Sequence, residues 1–229
     1  MAVDEILLGW ASRSQECVVR CYRWEVPTLS LGYFQAHDHR RRHPPSLASA
    51  VVRRVSGGGA ILHDAELTYS IALPGGHPLA RRRLALYRAA HEAVVEVLAE
   101  LGLSSRLCQG ELSSSGEAPF LCFRRRSVGD VLCGEAKVAG SAQRRLAGAI
   151  LQHGSVLLGR SPAAPELPGV EDLGGMPMGA EAFAHRWLDD LAERLGWRWQ
   201  VEPLSQAEQR ATEALVTAKY GHAGWTTRR

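Results

Sequence analysis

Two side chains in the middle of the sequence have the chemistry to act on a carbonyl group: a cysteine and a lysine. Cys122 lies between Leu121 and Phe123 and is followed by Arg124–Arg126. Positive charge near a thiol favours the thiolate, which is the nucleophilic form. A buried cysteine between two apolar neighbours fits the same pattern. The sequence therefore leaves Cys122 open as a nucleophile or a small core residue, whereas Cys133 is expected in the core.

Lys137 stands in the apolar sequence Ala-Lys-Val-Ala and is one of only two lysines in a chain with 27 basic residues. Because arginine is used almost everywhere else, this lysine is a candidate for a role that needs a compact charge. On a strand its side chain would point into a pocket and bind a carboxylate, a phosphate or an acyl carbonyl. An ordinary exposed lysine is the alternative.

A glycine-rich segment upstream is a candidate for close backbone contact with a ligand. Ser56, Gly57, Gly58 and Gly59 follow a predicted strand. Glycines let the backbone approach a ligand, and their amides can bind an anion or a carbonyl oxygen. The spacing matches neither a P-loop nor a dinucleotide fingerprint, and a tight hairpin turn is the alternative. His63 follows at once, although a lone histidine is more often structural.

Two polar segments near the lysine are predicted to form turns in the wall of the same pocket. Their residues are Gly140, Ser141, Ala142 and Gln143 in the first and Gln152, His153 and Gly154 in the second. Together with the glycine-rich segment they indicate a pocket for a ligand that contains a carbonyl or a phosphate group.

Composition limits the classes of protein that the chain can belong to. With 229 residues, 45% hydrophobic and 22% charged, it is typical of a globular protein with one large domain, predicted over residues 1–229. No apolar run approaches the roughly 20 residues that cross a bilayer, and the first residues do not resemble a signal peptide. We therefore expect a cytoplasmic protein without membrane contact.

Charge and cysteine patterns narrow the expected partners. The net charge is only +3, but arginines are clustered without interleaved aromatic residues. This pattern favours a solvated surface, an acidic protein or an anionic small ligand over nucleic acid. The five cysteines form no CxxC pair, so neither a metal site nor a disulfide framework is expected.

Hydrophobic periodicity predicts an α+β fold with a central, mostly antiparallel or mixed sheet flanked by helices, because strands and helices do not alternate as βαβ units. The predicted helices are Ala2–Ser12, Leu84–Leu101, Ala180–Leu195 and Ser205–Tyr220. The predicted strands are Val18–Trp24, Pro27–Tyr33, Val51–Val55, Leu67–Leu73, Arg106–Leu107, Asp130–Cys133, Ala136–Ala139, Gly148–Leu158 and Trp197–Val201. Ser113–Pro119 is predicted as a loop and Arg160–Met178 as an irregular surface segment.

Taken in order, these segments resemble the lipoate–protein ligase and octanoyltransferase superfamily, which shares its catalytic fold with biotin–protein ligase. The resemblance covers nearly the whole chain. The matching segments are Asp4–Leu8, Pro27–Gln35, Arg53–Ser70, the stretch from Gly129-Asp130 to Gly154, and Tyr220–Arg229. It implies an α+β catalytic domain whose central sheet lines an acyl pocket.

By motif match, the resemblance also implies roles for individual residues. Lys137 would contact the acyl carbonyl. The residues implied to form one side of the pocket are Arg54, Ser56, Gly57, Gly58, Gly59 and His63. Those implied to form the other side are Gly140, Ser141, Ala142, Gln143, Gln152, His153 and Gly154.

The resemblance leaves three functions open. In the one-domain octanoyltransferase branch, a cysteine in a Cys-Phe element before the lysine segment takes octanoate from acyl carrier protein, and Cys122 matches that position. The acyl group then passes to a lysine on a lipoyl domain or on glycine-cleavage H protein, and no cofactor is needed. The alternatives are a lipoate–protein ligase that uses ATP and Mg²⁺, with an accessory domain on a separate chain, and a non-catalytic acyl-binding protein.

Overall fold

The computed structural model describes residues 1–110 and 118–229, so residues 113–117 of the predicted loop Ser113–Pro119 lie outside the described part. Two sheets dominate the fold. The strands in chain order are β1 (Val18–Tyr22), β2 (Thr28–Leu31), β3 (Ala50–Arg53), β4 (Ile61–His63), β5 (Glu66–Leu73), β6 (Arg106–Leu107), β7 (Val131–Cys133), β8 (Ala136–Leu146) and β9 (Ala149–Leu157). The larger sheet is antiparallel, in the order β1-β5-β9-β8-β7-β6.

The smaller sheet, β3-β2-β4, pairs β2 in parallel with β3 and antiparallel with β4. The helices are α1 (Ala2–Ala11), α2 (Pro78–Arg81), α3 (Arg83–Glu100), α4 (Ala180–Leu195), α5 (Gln206–Leu215) and α6 (Ala223–Thr226), with a π-helical turn at Val216–Tyr220. The predicted α+β class with an antiparallel or mixed sheet is confirmed. None of the described helices is long and apolar enough to cross a membrane.

The central strands are buried on both faces because helices cover each side. Every residue of β5 and β9 is buried. On one face α1 packs through Leu7 and Leu8 against Ala72 and Leu151. On the other face α3 and α4 form the main core, where the indole N–H of Trp187 donates to the Ala90 carbonyl at 2.9 Å. A rigid two-sided support therefore holds the strands that carry the polar residues.

Local sequence signals explain where the helices end. Leu101 caps the end of α3 before Gly102, and α4 ends at Gly196; both glycines have positive φ, which costs glycine little. Ser205 and Glu208 form a capping box at the start of α5. The four predicted helices are confirmed within a few residues at their ends, with the last of them divided into α5 and the π-helical turn.

Several predicted elements differ from those in the structure. Trp197–Val201 is not a strand; Val201 is 81% exposed and the segment pairs with no described strand. Neither predicted turn exists, because Gly140–Gln143 lies inside β8 and Gln152–Gly154 inside β9. The competing prediction of a strand over Gly148–Leu158 is confirmed by β9. Leu84, at the start of α3, is 65% exposed and lines a cavity.

Candidate active site

One cavity of about 640 Å³ contains most of the residues with reactive chemistry. Its walls come from the glycine-rich loop after β3, a 3₁₀ turn at Cys122–Arg124, the start of α3 and strand β8. A volume of this size is in the range of small-molecule sites. The lining residues are Arg54, Gly57, Gly58, Gly59, Ile61, Leu84, Tyr87, Cys122, Phe123, Arg125, Ser127, Val128, Asp130, Lys137, Gly140, Ser141, Ala142, Gln143, Arg144, Arg145 and His153.

The glycine-rich loop and the cysteine turn are joined by backbone hydrogen bonds. The N–H of Ala60 donates to Phe120 at 3.0 Å, and the N–H of Cys122 donates to Ala60 at 2.7 Å. A Cβ on Gly59 would lie 3.1 Å from the Cys122 backbone and from the Phe120 carbonyl, which is too close for a backbone contact. Glycine at this position therefore allows the loop to pack directly on the turn that carries the thiol.

Lys137 and Cys122 face each other in the cavity. The Lys137 ammonium nitrogen lies 4.0 Å from the Cys122 sulfur and 2.7 Å from a carboxylate oxygen of Asp130. Both side chains of the ion pair are buried. Asp130 also accepts the Tyr87 hydroxyl at 2.7 Å and the Ser127 N–H at 2.8 Å. The carboxylate is thus fixed from three directions, and it holds the ammonium beside the thiol.

Gly140 provides the space that the lysine occupies. A Cβ at this position would lie 2.6 Å from Cε and 2.8 Å from Nζ of Lys137. We expect Gly140→Ala to push the flexible ammonium out of position while the strand survives, because only the end of a side chain must move. The rate of a reaction at Cys122 should fall at least about tenfold, as expected when an oriented charge is lost. The measurement is the rate at which a small thioester modifies Cys122, together with a thermal melt.

The control for this variant is Gly179→Ala at the start of α4, where a Cβ meets nothing within 4 Å. It should leave the rate unchanged. Full activity of Gly140→Ala with an unchanged melting temperature would contradict the positioning of Lys137 described above.

A buried chain of hydrogen bonds on α3, β5 and β8 supports this arrangement. His91 Nδ1 donates to the Gly129 carbonyl at 2.6 Å, so its Nε2 must accept the Ser141 hydroxyl, also at 2.6 Å. Ser141 in turn accepts the Tyr69 hydroxyl at 2.5 Å. Because Gly129 precedes Asp130 in the chain, His91 connects the helix to the turn that carries the carboxylate.

Burial lowers the pKa of His91 to about 4, although the Gly129 hydrogen bond and the Asp130 charge favour protonation. Between pH 6.5 and about 4, the unfolded chain binds a proton that the folded chain does not. The stability of the fold is therefore unaffected by this titration above pH 6.5. As pH falls from 6.5 to about 4, the free energy of unfolding decreases by about 3 kcal/mol on account of His91. Between pH 7 and pH 4, we expect the free energy of unfolding of the wild type to fall by about 3 kcal/mol more than that of His91→Gln. Urea titrations at the two pH values measure the difference. Equal pH slopes for the two proteins would refute this assignment.

Two adjacent arginines, Arg53 and Arg54, are buried and have no carboxylate partner among the described residues. Arg54 donates to the Ser30, Gly57 and Gly59 carbonyls and to the Ser30 hydroxyl. Burial lowers the pKa of its guanidinium to about 10, an effect that Cys122 offsets in part. Because a buried, unneutralised cation is costly, Arg54 is suited to face an anion or a thiolate in the cavity.

The two histidines predicted for the pocket occupy different environments. His63 bonds to Glu66 at 2.5 Å and to the Ser30 hydroxyl at 2.7 Å, stacks on Trp24, and does not line the cavity. His153 lines the cavity and has a hydrogen bond to Ser56, and its Nδ1 lies 3.9 Å from a carboxylate oxygen of Asp4. Burial lowers the pKa of His153, although the hydrogen bond and the charge of Asp4 favour its protonation.

The structure therefore brings together most, but not all, of the predicted site residues. Those that do not line the cavity are Ser56, His63, Gln152 and Gly154. Ser56 lies behind His153, and Gln152 accepts a hydrogen bond from Gln143 at 2.8 Å. Gly154 makes room for the Tyr69 and Ser141 hydroxyls, because a Cβ there would lie within 2.7 Å of both.

Sequence reasoning missed Asp130, Tyr87 and His91. An acidic residue directly after a glycine, at the start of a predicted strand, was the available signal for Asp130. Nothing local indicated the two α3 side chains. Among residues 1–110 and 118–229, no cluster of three His, Cys, Asp or Glu side chains could hold a metal ion.

Comparisons with known proteins match this chain to one family. The model of the lipoyl protein ligase A/B catalytic domain matches residues 1–163. Octanoyltransferase LipM of Kyrpidia tusciae is 32% identical over all of this chain and 94% of that protein. Octanoyltransferase LipM of Geobacillus kaustophilus is 38% identical over 69% of this chain and 60% of that protein.

Solved structures show the same fold. A putative lipoate protein ligase from T. acidophilum has a TM-score of 0.80 at 23% identity, covering all of this chain and 92% of that one. A lipoate-protein ligase A bound with ATP has a TM-score of 0.76 at 23% identity, covering 99% of this chain and 92% of that one.

Proposed function

The chain belongs to the lipoyl protein ligase A/B catalytic domain family, and from this we propose that it is an octanoyltransferase acting through a thioester on Cys122. The observation that carries the proposal is the Cys122 sulfur 4.0 Å from the ammonium of Lys137 in a common cavity. Relatives named octanoyltransferase that align with 99% or more of this chain support the choice of acyl group.

The cavity has the polarity that an acyl thioester requires. Ile61, Leu84, Phe123 and Val128 supply apolar surface for a hydrocarbon chain. Arg54 and Lys137 add positive charge to the same cavity, where a carbonyl would develop negative charge, and the Lys137 ammonium lies 5.4 Å from the centre of the Phe123 ring. Exposed apolar side chains such as Leu84 and Val128 are understandable if a substrate covers them.

The first half-reaction is an exchange of thioesters. The Cys122 thiolate attacks the carbonyl carbon of the octanoyl thioester on acyl carrier protein and forms a new C–S bond. The negative charge that develops on the carbonyl oxygen is stabilised by the Lys137 ammonium, which Asp130 keeps in place. Collapse of this intermediate breaks the bond to the donor, whose sulfur leaves as a thiolate.

The second half-reaction transfers the acyl group to an amine. The ε-ammonium of a lysine on a lipoyl domain or glycine-cleavage H protein loses one proton to solvent, and the neutral amine attacks the carbonyl carbon of the acyl-enzyme to form a C–N bond. The nitrogen then loses a second proton to solvent as the bond to the Cys122 sulfur breaks, which leaves an amide. Cys122 leaves as a thiolate and is ready for the next cycle. A solved relative of this fold was studied together with an E2 lipoyl domain, which supports this class of acceptor. We also propose that residues 1–229 act as one catalytic domain.

Intact-mass spectrometry after incubation with octanoyl-acyl carrier protein, without ATP, tests the proposal. We expect a gain of one octanoyl group that hydroxylamine removes and that a lipoyl domain takes up. A folded protein without an adduct, but active with lipoate, ATP and Mg²⁺, would instead be a ligase. Acyl binding without transfer under either condition would indicate a binding protein.

A further inference from the structure

A group of exposed aromatic and basic side chains lies next to the cavity, and the mechanism above does not use it. Tyr33 and Phe34 follow β2, and Phe34 is 67% exposed. The Arg228 guanidinium lies 4.2 Å from the centre of the Tyr33 ring, and that of Arg229 lies 5.4 Å from the Phe34 ring. The Arg144 guanidinium lies 5.7 Å from the Tyr33 ring, and Arg144 also lines the cavity.

Backbone and ring contacts hold these side chains in place. The N–H of Tyr33 donates to the Ser56 carbonyl at 2.8 Å, which ties it to the glycine-rich loop. Arg228 stacks on Trp225 at 4.7 Å as well as on Tyr33. The N–H of His37 donates to the backbone oxygen of Arg229 at 2.7 Å. The charges are therefore presented from a fixed position rather than from a loose tail.

The positive charge of this group is not neutralised. Among residues 1–110 and 118–229, no Asp or Glu side chain forms an ion pair with Arg144, Arg228 or Arg229. The guanidinium of Arg53, buried directly beneath, donates only to carbonyl oxygens, those of Gly32, Tyr33, Gln35 and Thr226. The hydrogen bond from Arg228, together with the charges of Arg228, Arg144 and Arg229, lowers the pKa of Tyr33. An anionic partner would relieve this repulsion.

We propose that Tyr33, Phe34, Arg144, Arg228 and Arg229, here called the docking surface, bind an acidic face of the acceptor domain beside the lysine that becomes acylated. The proposal rests on the proposed function. An acceptor lysine reaches Cys122 only through its own four-carbon side chain, so its domain must sit at the edge of the cavity. The donor carries its thioester on a much longer prosthetic arm and can bind farther away. Arg144, which belongs to both the cavity and the docking surface, marks that edge.

The test compares Arg228→Glu/Arg229→Glu with the wild type in two assays, since neither residue lines the cavity. The first assay measures acylation of Cys122 by octanoyl-N-acetylcysteamine, a small uncharged thioester. The second measures transfer from the acyl-enzyme to a recombinant lipoyl domain. Arg198→Glu, which reverses an exposed arginine outside the cavity, is the control for charge alone.

We expect kcat/KM for the lipoyl domain to fall by about 10- to 100-fold relative to acylation, with a weaker salt dependence than in the wild type. Arg198→Glu should behave as the wild type. Normal transfer by the double variant would overturn the proposal. A third assay replaces the small thioester with octanoyl-acyl carrier protein. A selective loss of acylation in that assay would also overturn the proposal, because the docking surface would then belong to the donor.

Direct binding separates this proposal from the proposed function. If the wild type forms no acyl-enzyme, the thioester mechanism fails, but calorimetric titration with the lipoyl domain still tests the docking surface. Binding by the wild type that the double variant loses would support it, and equal binding by both would refute it.

Discussion

Cys122→Ala is expected to form no acyl-enzyme with octanoyl-acyl carrier protein and to lose transfer by a factor of about 10⁴ or more, as when a covalent nucleophile is removed. The thiol is half-buried, faces the cavity and lies near the charges of Lys137 and Arg54. Its removal leaves a small gap at the start of a 3₁₀ turn, so the fold should remain. The measurement is intact mass combined with peptide mapping of the modified residue.

The matched control is Cys133→Ala, which removes a buried thiol from β7. This variant should form the adduct at the wild-type rate, with a lower melting temperature because a core atom is lost. An octanoyl group that appears on Cys122→Ala, or on a different cysteine of the wild type, would contradict the assignment of the nucleophile.

Lys137→Gln is expected to slow acylation by roughly 10² to 10³, the range for losing one preorganised donor to an oxyanion. The variant also leaves the Asp130 carboxylate buried without its cation, which costs about 3–5 kcal/mol of stability. Lys137→Met/Asp130→Asn removes both charges and should recover much of the stability without recovering the rate. Quenched acylation assays and thermal melts on both variants separate the effect on the rate from the effect on stability.

The chain contains a suitable control because its only other lysine is also paired. Lys219 lies 2.6 Å from a Glu5 carboxylate oxygen, at a partly exposed position outside the cavity. Lys219→Gln should acylate at the wild-type rate. If Lys137→Gln and Lys219→Gln behaved alike, the role of Lys137 would be structural and the mechanism would need another source of positive charge.

The regular elements could be predicted largely because their signals are local. Gly102 and Gly196 mark helix ends, and the capping box at Ser205 marks the start of α5. The length of β8 could not be predicted in this way. Its Gly-Ser-Ala-Gln sequence favours a turn by composition, but pairing with β9 on one side keeps these residues extended. The missed strand β4 likewise exists through its pairing with β2.

The candidate site shows the same division. By itself, the sequence determined the family, the fold class and the candidate pair Cys122 and Lys137. These conclusions depend only on the types of residue and their order along the chain, which can be read without a structure. Only the tertiary structure decided which side chains meet: it paired Lys137 with Asp130, anchored that turn through His91, and placed His153 rather than His63 at the cavity. These contacts join residues on different helices and strands. Their energies depend on burial and distance in the folded chain, which no local pattern encodes.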